Sequence, residues 1–549
     1  MLRRFLFCGM LVSCLHLAGD ERSLPLFLIQ TGRIEQAFDL YLQKKETGSN
    51  DCELLQEMGL ALLQKGQDSN DPESQLLAIY GAGVSLNEHA LPIIEEGLRS
   101  PHPQIQLASM HLLAKYQNDS LIPSLMQAMR SDYLLVRFEA ASLLASLRSN
   151  IASAQILSLM VKVDEALLPL FAPLLVKLGT KDANTQLKKF LTHMKEDVRL
   201  AAILSIQEAG RDDYLNEIKR LSLQTSPVQQ EACALALGTF KDGAAFPYLE
   251  ELAHSSHSNV ALAACDALYK LGKKEAAQGI IRRALEGDLF ALTLLGKIPE
   301  GKECLLQQIS SKSLNVKINA AIALLGQENP ACISILTECL KTNPHIGLLP
   351  VPSPGKALKA WKFAPIPPES QDDPMIQEAL LGIKEELLQK AASLPEKDYI
   401  KLARNLFLAK ENPLVPTLCA TLESLNTEEA IKLLHTQKQQ VGAPLIRHFC
   451  TLSLFRLGED EGAEKILKSW LASKQALSMI QLRPVTVEKE SKGTFQLTAK
   501  ESSRLMIETL EAFAAKQDDV GIEVLIRAIK DGDPKNRFAL AGLLMRASQ

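Results

Sequence analysis

The chain repeats one short pattern of apolar and polar positions at regular intervals. The stretch VRFEAASLL, from Val136 to Leu144, returns as VRLAAILSI, VQQEACALA, VALAACDAL and VKINAAIAL further along the sequence. The first residue of each stretch is termed the marker. Markers recur about every 31 residues, with a degenerate unit in each of two longer gaps, near Leu167 and Leu289. The six markers are Ile105, Val136, Val198, Val228, Val260 and Val316.

Each marker opens a stretch with helical spacing. Four residues after it stands a small residue, as at Ala140 and Ala202, and eight after it an apolar residue, as at Leu144. Such positions lie on one face of an α-helix, and the small residue between them lets a neighbouring helix approach closely. The pattern therefore predicts a buried helix in each unit, termed the second helix.

A first helix is predicted upstream of the marker. Pro92, Pro123 and Pro247 each stand thirteen residues before a marker. Proline is tolerated in the first turn of a helix, where its missing N–H costs no hydrogen bond, so each proline indicates a helix start. The recurring unit is thus a pair of helices joined by a short turn, and a series of such units predicts an α-solenoid.

A helix that opens with L-P-x-L, followed by V-R-x-x-A-A-x-x-L, resembles the HEAT repeat family over residues 72–340. The resemblance implies stacked helical hairpins whose concave surface binds other proteins. By the same resemblance, the basic residues directly after the marker form an inter-repeat ladder or line the groove; these are Arg137, Arg199 and Lys317. The other units depart from the family pattern, because they carry Gln or Ala at this position.

The regions that flank this array have patterns of their own. Residues 24–68 contain GRIEQAFDLYLQK and LLQEMGLALLQKG, which resemble a tetratricopeptide-like helical hairpin that lacks the family's large aromatic residue. Residues 341–374 are rich in proline, which excludes a regular helix and predicts a linker or a belt laid along the array.

Helical patterning resumes after the proline-rich segment. We expect a second helical repeat segment at residues 375–477 and a β-hairpin insert at 478–498, where polar and apolar residues alternate around a glycine turn. Thr498 and Glu501 predict a capping box that opens terminal HEAT-like helices at 499–549.

The N-terminus predicts export. MLRR supplies a short positive region and FLFCGMLVS an apolar run of nine residues, too short for a permanent transmembrane helix. The overlapping LVSC resembles the lipobox of bacterial lipoproteins, which implies that Cys14 is lipidated and anchors the chain in the membrane. Residues 1–19 are therefore interpreted as an export or lipoprotein signal. Ordinary secretion and an uncleaved hydrophobic N-terminus are the alternatives.

Charge and cysteine usage narrow the classes of function. The 60 basic and 64 acidic residues nearly balance, so no basic excess favours nucleic-acid binding. Cys233 and Cys265 occupy the same slot in neighbouring units, which places them too far apart for a disulfide. No cysteines have metal-ligand spacing, and we expect most of them to be buried thiols.

No residue pattern predicts catalysis, a cofactor or a metal site. Gly355 and Lys356 fail as a phosphate-binding loop, because Pro350 and Ala357 stand where the loop needs Gly and Ser or Thr. The second helices also carry polar residues that look like ordinary solvated surface, and the sequence therefore singles out no binding face. These residues are Glu139, Glu231, Asp266 and Asn319.

The predicted fold class is all-α, an α-solenoid of HEAT-like helical hairpins with a proline-rich linker and a small β-hairpin insert near the C-terminus. The predicted function is a non-enzymatic scaffold that binds other proteins, exported and membrane-tethered in a bacterial envelope. The alternative is a cytosolic HEAT-repeat regulator or a HEAT-type enzyme such as a lyase.

Overall fold

The computed structural model describes residues 22–45, 50–115, 121–343, 345–371, 373–440, 442–473 and 497–549. Two predictions therefore lie outside the described residues: the export signal with Cys14, and the β-hairpin insert apart from Leu497 and Thr498. The described chain is almost wholly helical, and the predicted all-α fold class is confirmed. Within these ranges one two-stranded sheet accompanies the helices.

The described residues form two compact units. The first unit takes both ends of the described chain, up to Ala140 and from Gly462 onward. The second unit is the stretch from Ala141 to Glu461. In the first unit, C-terminal helices pack against N-terminal ones, a long-range pairing that no local pattern reveals.

The helices are numbered along the chain. No helix among the described residues is both long and apolar enough to cross a bilayer. The first group is α1 (Ser23–Gln30), α2 (Ile34–Lys45), α3 (Cys52–Gln67), α4 (Pro72–Val84), α5 (Leu91–Gly97), α6 (Pro103–Leu113), α7 (Ile122–Ala128) and α8 (Leu134–Ser146). The next group is α9 (Asn150–Lys162), α10 (Ala172–Leu178), α11 (Lys181–Leu191), α12 (Glu196–Glu208), α13 (Leu215–Ser222), α14 (Pro227–Phe240), α15 (Phe246–Ala253), α16 (Ser258–Lys270), α17 (Ala277–Leu285), α18 (Leu289–Leu294), α19 (Lys302–Gln308), α20 (Leu314–Gly326) and α21 (Ile333–Leu340).

After the sheet the chain is again helical. Short 3-10 helices precede several first helices, as at Asp212–Tyr214 and Gly243–Ala245. The capping box of Thr498 and Glu501 is present at the start of the helix Ala499–Lys516, as predicted. The remaining helices are α22 (Pro374–Ala391), α23 (Glu396–Leu408), α24 (Val415–Leu425), α25 (Glu428–Lys438), α26 (Pro444–Leu457), α27 (Ala463–Leu471), α28 (Ala499–Lys516), α29 (Asp519–Asp531) and α30 (Asn536–Ala547).

The predicted helix pairs are confirmed. Pro92, Pro123 and Pro247 lie in the first turn of α5, α7 and α15. The markers Val136 and Val198 are fully buried on their second helices. Consecutive second helices pack on one another, as α12 does on α14 and α14 on α16. The small residues four positions after the marker are 0% exposed at Ala140, Ala202, Ala232, Ala264 and Ala320.

In the first unit, the last helix packs between helices from the other end of the chain. α30 contacts α3 and α4. A Cβ on Gly542 of α30 would lie 1.8 Å from the carbonyl oxygen of Gly81 of α4, so only glycine allows the two backbones to meet. Nearby, Arg537 Nη2 lies 2.5 Å from the Glu35 carboxylate. Helix α3 is therefore packed on the C-terminal helix.

The predicted linker or belt is a β-hairpin in the structure. Strands β1 (Ile346–Pro352) and β2 (Lys359–Pro365) pair antiparallel, with Pro350 opposite Trp361, and Ile346–Pro365 is termed the central hairpin. The Trp361 N–H points away from β1 and bonds to Asn319, so the backbone nitrogen of Pro350 opposite it points away from β2. The same holds for Pro352, two residues on, so both prolines leave the outer edge of β1 without an N–H donor at their positions. β2 packs on α18 and α20, and β1 packs on α22.

Candidate functional site

The three predicted ladder positions differ in their surroundings. Arg199, on α12, donates from Nε to Gln229 Oε1 of the next second helix (2.8 Å) and from Nη1 to two carbonyl oxygens of the preceding turn. Arg137 is half-buried, and within the described residues its buried Nε has no hydrogen-bond partner. Lys317 is half-buried on α20. Of these three residues, Arg199 joins two neighbouring repeats.

The residue after the marker has a structural role that does not need arginine. Gln106 and Gln229 each donate from Nε2 to the backbone carbonyl oxygen eight residues upstream, at 3.1 and 3.2 Å. In the last helix pair, α29 and α30, Arg537 donates from Nε to the corresponding carbonyl oxygen, that of Ile529, at 3.0 Å. Each bond satisfies a carbonyl near the C-terminal end of the first helix, where the helix has no N–H to offer. The two glutamines therefore preserve a contact that an arginine makes elsewhere.

The prediction that polar second-helix residues are solvated is wrong for three of the four. Glu231, Asp266 and Asn319 are only 1%, 7% and 0% exposed, whereas Glu139 is half-buried. Asp266 Oδ2 pairs with Lys270 Nζ one helical turn away, at 2.5 Å. Burial of Glu231 and Asn319 has another cause, because both lie under the central hairpin.

The position three residues after the marker differs in exposure between α12 and the later second helices of the second unit. Ala201, three residues after its marker on α12, is partly exposed. Its counterparts are buried: Glu231 on α14, Ala263 on α16 and Asn319 on α20. The surface of α14 and α20 that carries Glu231, Asn315 and Asn319 is termed the covered face.

Glu231 binds the tip of the central hairpin. Its carboxylate accepts hydrogen bonds from the backbone N–H groups of Gly355 and Ala357, both at 3.1 Å, and from the Ser353 hydroxyl. Burying a carboxylate is costly unless donors replace water, and these three donors do so. A Cβ on Gly355 would lie 2.6 Å from the Val228 carbonyl oxygen, so this glycine permits the tip to rest on the backbone of α14.

Asn319 and Asn315 bind the outer edge of β2. Asn319 Oδ1 accepts the Trp361 N–H at 2.8 Å, and Asn319 Nδ2 donates to the Trp361 carbonyl oxygen at 2.7 Å. Asn315 Oδ1 accepts the Phe363 N–H at 3.3 Å. The Asn319 amide thus supplies the donor and the acceptor that a neighbouring strand would supply. The edge of β2 is therefore paired without a third strand.

The base of the hairpin segment is also anchored within the second unit. Glu411 Oε2 accepts hydrogen bonds from the backbone N–H and the hydroxyl of Thr342, at 2.8 and 2.7 Å. Lys384 Nζ donates to the carbonyl oxygen of Lys341 at 2.9 Å, and burial lowers the pKa of this lysine. The segment is thus held at its base, its tip and one edge.

The covered face recognises main chain. Four of the groups that donate to it are backbone N–H groups, from Gly355, Ala357, Trp361 and Phe363. Any extended polypeptide carries such groups, and pairing with a strand edge is a common way to hold a peptide. The covered face is therefore the candidate binding site.

Sequence reasoning missed Glu231 and Asn319 because their partners are distant in the chain. Ala357 is 126 residues from Glu231, and Trp361 is 42 residues from Asn319. A signal was present: an acid and an amide stand inside apolar helices, at a slot where the repeats of Ile105, Val198 and Val260 have alanine.

A second feature of this unit is a shallow cleft of about 320 Å³ beside the degenerate repeat. Met160 and Phe190 contribute to its apolar lining, and Glu165 and His193 to its polar lining. His193 Nε2 lies 3.7 Å from Glu165 Oε1, and His193 Nδ1 accepts the Lys195 N–H at 3.2 Å. Among the described residues, no cluster of three or more His, Cys, Asp or Glu side chains suits a metal ion.

Most cysteines of the described chain are buried thiols. Burial raises the pKa of Cys332 and Cys339 to about 12, which leaves little reactive thiolate. Cys419 Sγ and Cys450 Sγ are 3.8 Å apart on α24 and α26, a contact that the sequence did not predict. The buried thiols are Cys233, Cys304, Cys332, Cys339, Cys419 and Cys450.

The fold and the covered face define a helical-repeat scaffold that contains HEAT repeats. The family model of HEAT repeats matches residues 218–290, from α13 into α18. No curated protein matches the chain. The fold is assigned from the helix pairs described above.

Several solved structures are similar to the chain at low identity. The complex of CpcE and CpcF of phycocyanin lyase from Nostoc sp. PCC7120 is 23% identical over 38% of this chain and 87% of that chain, with a TM-score of 0.29. UNC-45 from Drosophila melanogaster is 12% identical over 96% and 87%, with a TM-score of 0.31. The karyopherin Kap121p, bound to the extreme C-terminus of the protein phosphatase Cdc14p, is 12% identical over 95% and 79%, with a TM-score of 0.26. At these TM-scores none of the three carries a functional argument.

Proposed function

We propose that the protein is a non-enzymatic scaffold that binds other proteins through the second helices of its second unit. The observation that supports this proposal is the hold of α14 and α20 on an extended segment of polypeptide. Glu231 and Asn319 bind the backbone of that segment, so the surface has the chemistry of a peptide-binding face. The nearly balanced charge of 60 basic and 64 acidic residues favours protein partners over nucleic acid.

The row of second-helix positions continues onto α12, where Ala201 is partly exposed. A photo-cross-linking residue placed at Ala201 in the native cell should therefore yield discrete protein adducts. The matched control is the same residue at Asn216, which is exposed on the first helix α13. Adducts from Ala201 that are absent from Asn216 support the proposal. The same adducts from both positions, or none from Ala201, would contradict it.

We also propose that the chain is exported to a bacterial envelope and anchored in the membrane by a lipidated Cys14. The support is the order of a positive region, an apolar run and LVSC at the N-terminus. The test is the mass of the N-terminal peptide of protein recovered from its own cell. Acyl chains on Cys14 are expected. An intact Met1 would overturn export and favour the cytosolic regulator or HEAT-type enzyme.

A further inference from the structure

We propose that the central hairpin is a built-in occupant of the partner site, and that a partner protein binds the covered face by placing an extended segment where the hairpin lies. The inference rests on the proposed function, since it identifies the site and the chemistry of the partner. It makes the central hairpin a competitor of the partner rather than a permanent part of the fold.

The contacts to the covered face come from one short stretch of chain. The donors to Glu231, Asn315 and Asn319 all lie within residues 353–363, which run from the tip through most of β2. β1 supplies none of these bonds. A single extended segment of about this length therefore carries every group that the face recognises, and a second strand is not needed.

The same contacts specify the partner's segment. Opposite Glu231 it must be small, because a Cβ at Gly355 would meet the Val228 carbonyl oxygen at 2.6 Å. Six residues later it must offer a large apolar side chain, because Trp361 is only 4% exposed. At and around these two points the face binds backbone N–H groups, namely those of Gly355, Ala357, Trp361 and Phe363. The ligand class is thus an extended peptide with a glycine and, six residues on, an aromatic residue.

A partner must replace the hairpin because it has little room to extend it. The outer edge of β2 is already bound by Asn319 and Asn315. The outer edge of β1 presents Pro350 and Pro352, which have no N–H to pair with a further strand. Both routes for adding a strand to the sheet are therefore obstructed.

Release leaves a face that water can solvate. Glu231, Asn315 and Asn319 are polar, and a carboxylate or amide at a helix surface is readily hydrated once the hairpin leaves. A permanent core contact would more commonly place apolar side chains at these positions. The covered face therefore has the composition of a surface that opens.

The experiment uses a fluorescently labelled peptide of residues 351–365 and the full-length chain. Gly355→Val should lift the tip from α14 and leave the covered face unchanged. The intramolecular segment competes at an effective concentration in roughly the millimolar range, so weakening its hold at the tip should tighten peptide binding at least about tenfold relative to the unmodified chain. Gly382→Val is the matched control, because a Cβ there has nothing within 4 Å, and it should bind as the unmodified chain does.

Two further variants show that the peptide occupies the covered face. A peptide with valine in place of Gly355 should bind at least about tenfold more weakly to the Gly355→Val chain. Adding Glu231→Ala to that chain should also weaken binding of the native peptide. A Gly355→Val chain that stays folded but binds the native peptide no better than the unmodified chain would overturn the inference.

If Gly355→Val does not fold, backbone hydrogen exchange of the unmodified chain provides the test. The N–H groups of Gly355, Ala357, Trp361 and Phe363 should exchange through a local opening that leaves α14 and α20 protected. Exchange of these groups only through global unfolding would overturn the inference. Adducts at Ala201 from a chain whose hairpin never opens would support the scaffold and reject only the built-in occupant.

Discussion

The second helix α12 and the second helices α14 and α20 share one sequence pattern but differ in how they are covered. α12 buries six of its thirteen residues, whereas α20 buries eight of thirteen. The marker and the small residue four positions on are buried in both. The difference lies on the outer face, where Ala201 is partly exposed and Asn319 is not. Repeat packing alone therefore does not decide which second-helix surface meets solvent.

The covered helices show how polar side chains can be buried and still have hydrogen-bond partners. Glu231 and Asn319 are as inaccessible as the apolar core, yet their side chains face hydrogen-bonding groups of the central hairpin. Each polar group is satisfied by a segment far away in the chain. We therefore expect changes at these residues to affect the hairpin first and the helix stack second.

The largest effect is expected for Glu231→Ala. The substitution removes the shared acceptor of Ser353, Gly355 and Ala357, each of which makes a charge-assisted hydrogen bond. We expect a loss of about 3 kcal/mol in the free energy of unfolding, limited by the ability of the tip to lift into water. Urea unfolding followed by circular dichroism measures it.

The matched control is Glu208→Ala at the exposed end of α12. It should change stability by less than about 0.5 kcal/mol, because no hairpin covers that helix end. Equal losses from Glu231→Ala and Glu208→Ala would remove the distinction between covered and uncovered helices.

The next effect is expected for Asn319→Asp. The carboxylate can still accept the Trp361 N–H but cannot donate to the carbonyl oxygens of Trp361 and Asn315 that the amide now binds. We expect a loss of about 2.5 kcal/mol. Asn315→Asp is the control, because its contact with the hairpin uses only an acceptor, and it should cost less than about 0.5 kcal/mol. Thermal unfolding compares the two. Similar costs would argue against the strand-like pairing of Asn319.

The free energy of unfolding should also fall at low pH, because of a residue that lies outside the covered face. Burial, with a smaller contribution from Arg447, lowers the pKa of His448 on α26 from 6.5 to about 4. Because the unfolded chain binds this proton more tightly, stability is full above pH 6.5 and falls as the pH drops toward 4. At pH 5 the loss is about 2 kcal/mol.

His448→Leu should flatten this part of the pH dependence. The measurement is the free energy of unfolding of both proteins at pH 7 and pH 5, in which other titrating groups cancel in the difference. An unchanged slope in the variant would show that His448 is not the responsible group.

The smallest effect is expected for Arg199→Ala, which removes the contact with Gln229 of the next repeat and the two bonds to carbonyl oxygens of the preceding turn. We expect a loss of about 1 kcal/mol, because the side chain is only half-buried and water can replace it at these acceptors. Lys317→Ala, at the equivalent position of α20, should cost less than about 0.5 kcal/mol. Chemical denaturation distinguishes the two, and a larger loss from Lys317→Ala would reverse this order.

Local features of the fold were predictable from the sequence. The helix starts at Pro92, Pro123 and Pro247 follow from proline chemistry, and the capping box of Thr498 and Glu501 from a four-residue pattern. These features depend on residues within a turn or two of each other, so a linear pattern records them.

Long-range features were not predictable in the same way. Ser353 is 122 residues from Glu231, and Arg537 is 502 residues from Glu35, so no period links either pair. The proline density of residues 341–374 predicts a linker or a belt and no regular helix. It excludes a helix, but prolines two apart on one strand edge are compatible with a hairpin.

A double-mutant cycle between Glu231 and Ser353 measures directly whether Glu231 holds the hairpin tip on α14. The cycle requires the free energies of unfolding of Glu231→Ala, Ser353→Ala and the double variant in urea. We expect the double variant to lose about 1.5 kcal/mol less than the sum of the two single losses, because the residues share one hydrogen bond. Losses that add to within about 0.5 kcal/mol would show that Glu231 does not hold the tip through Ser353.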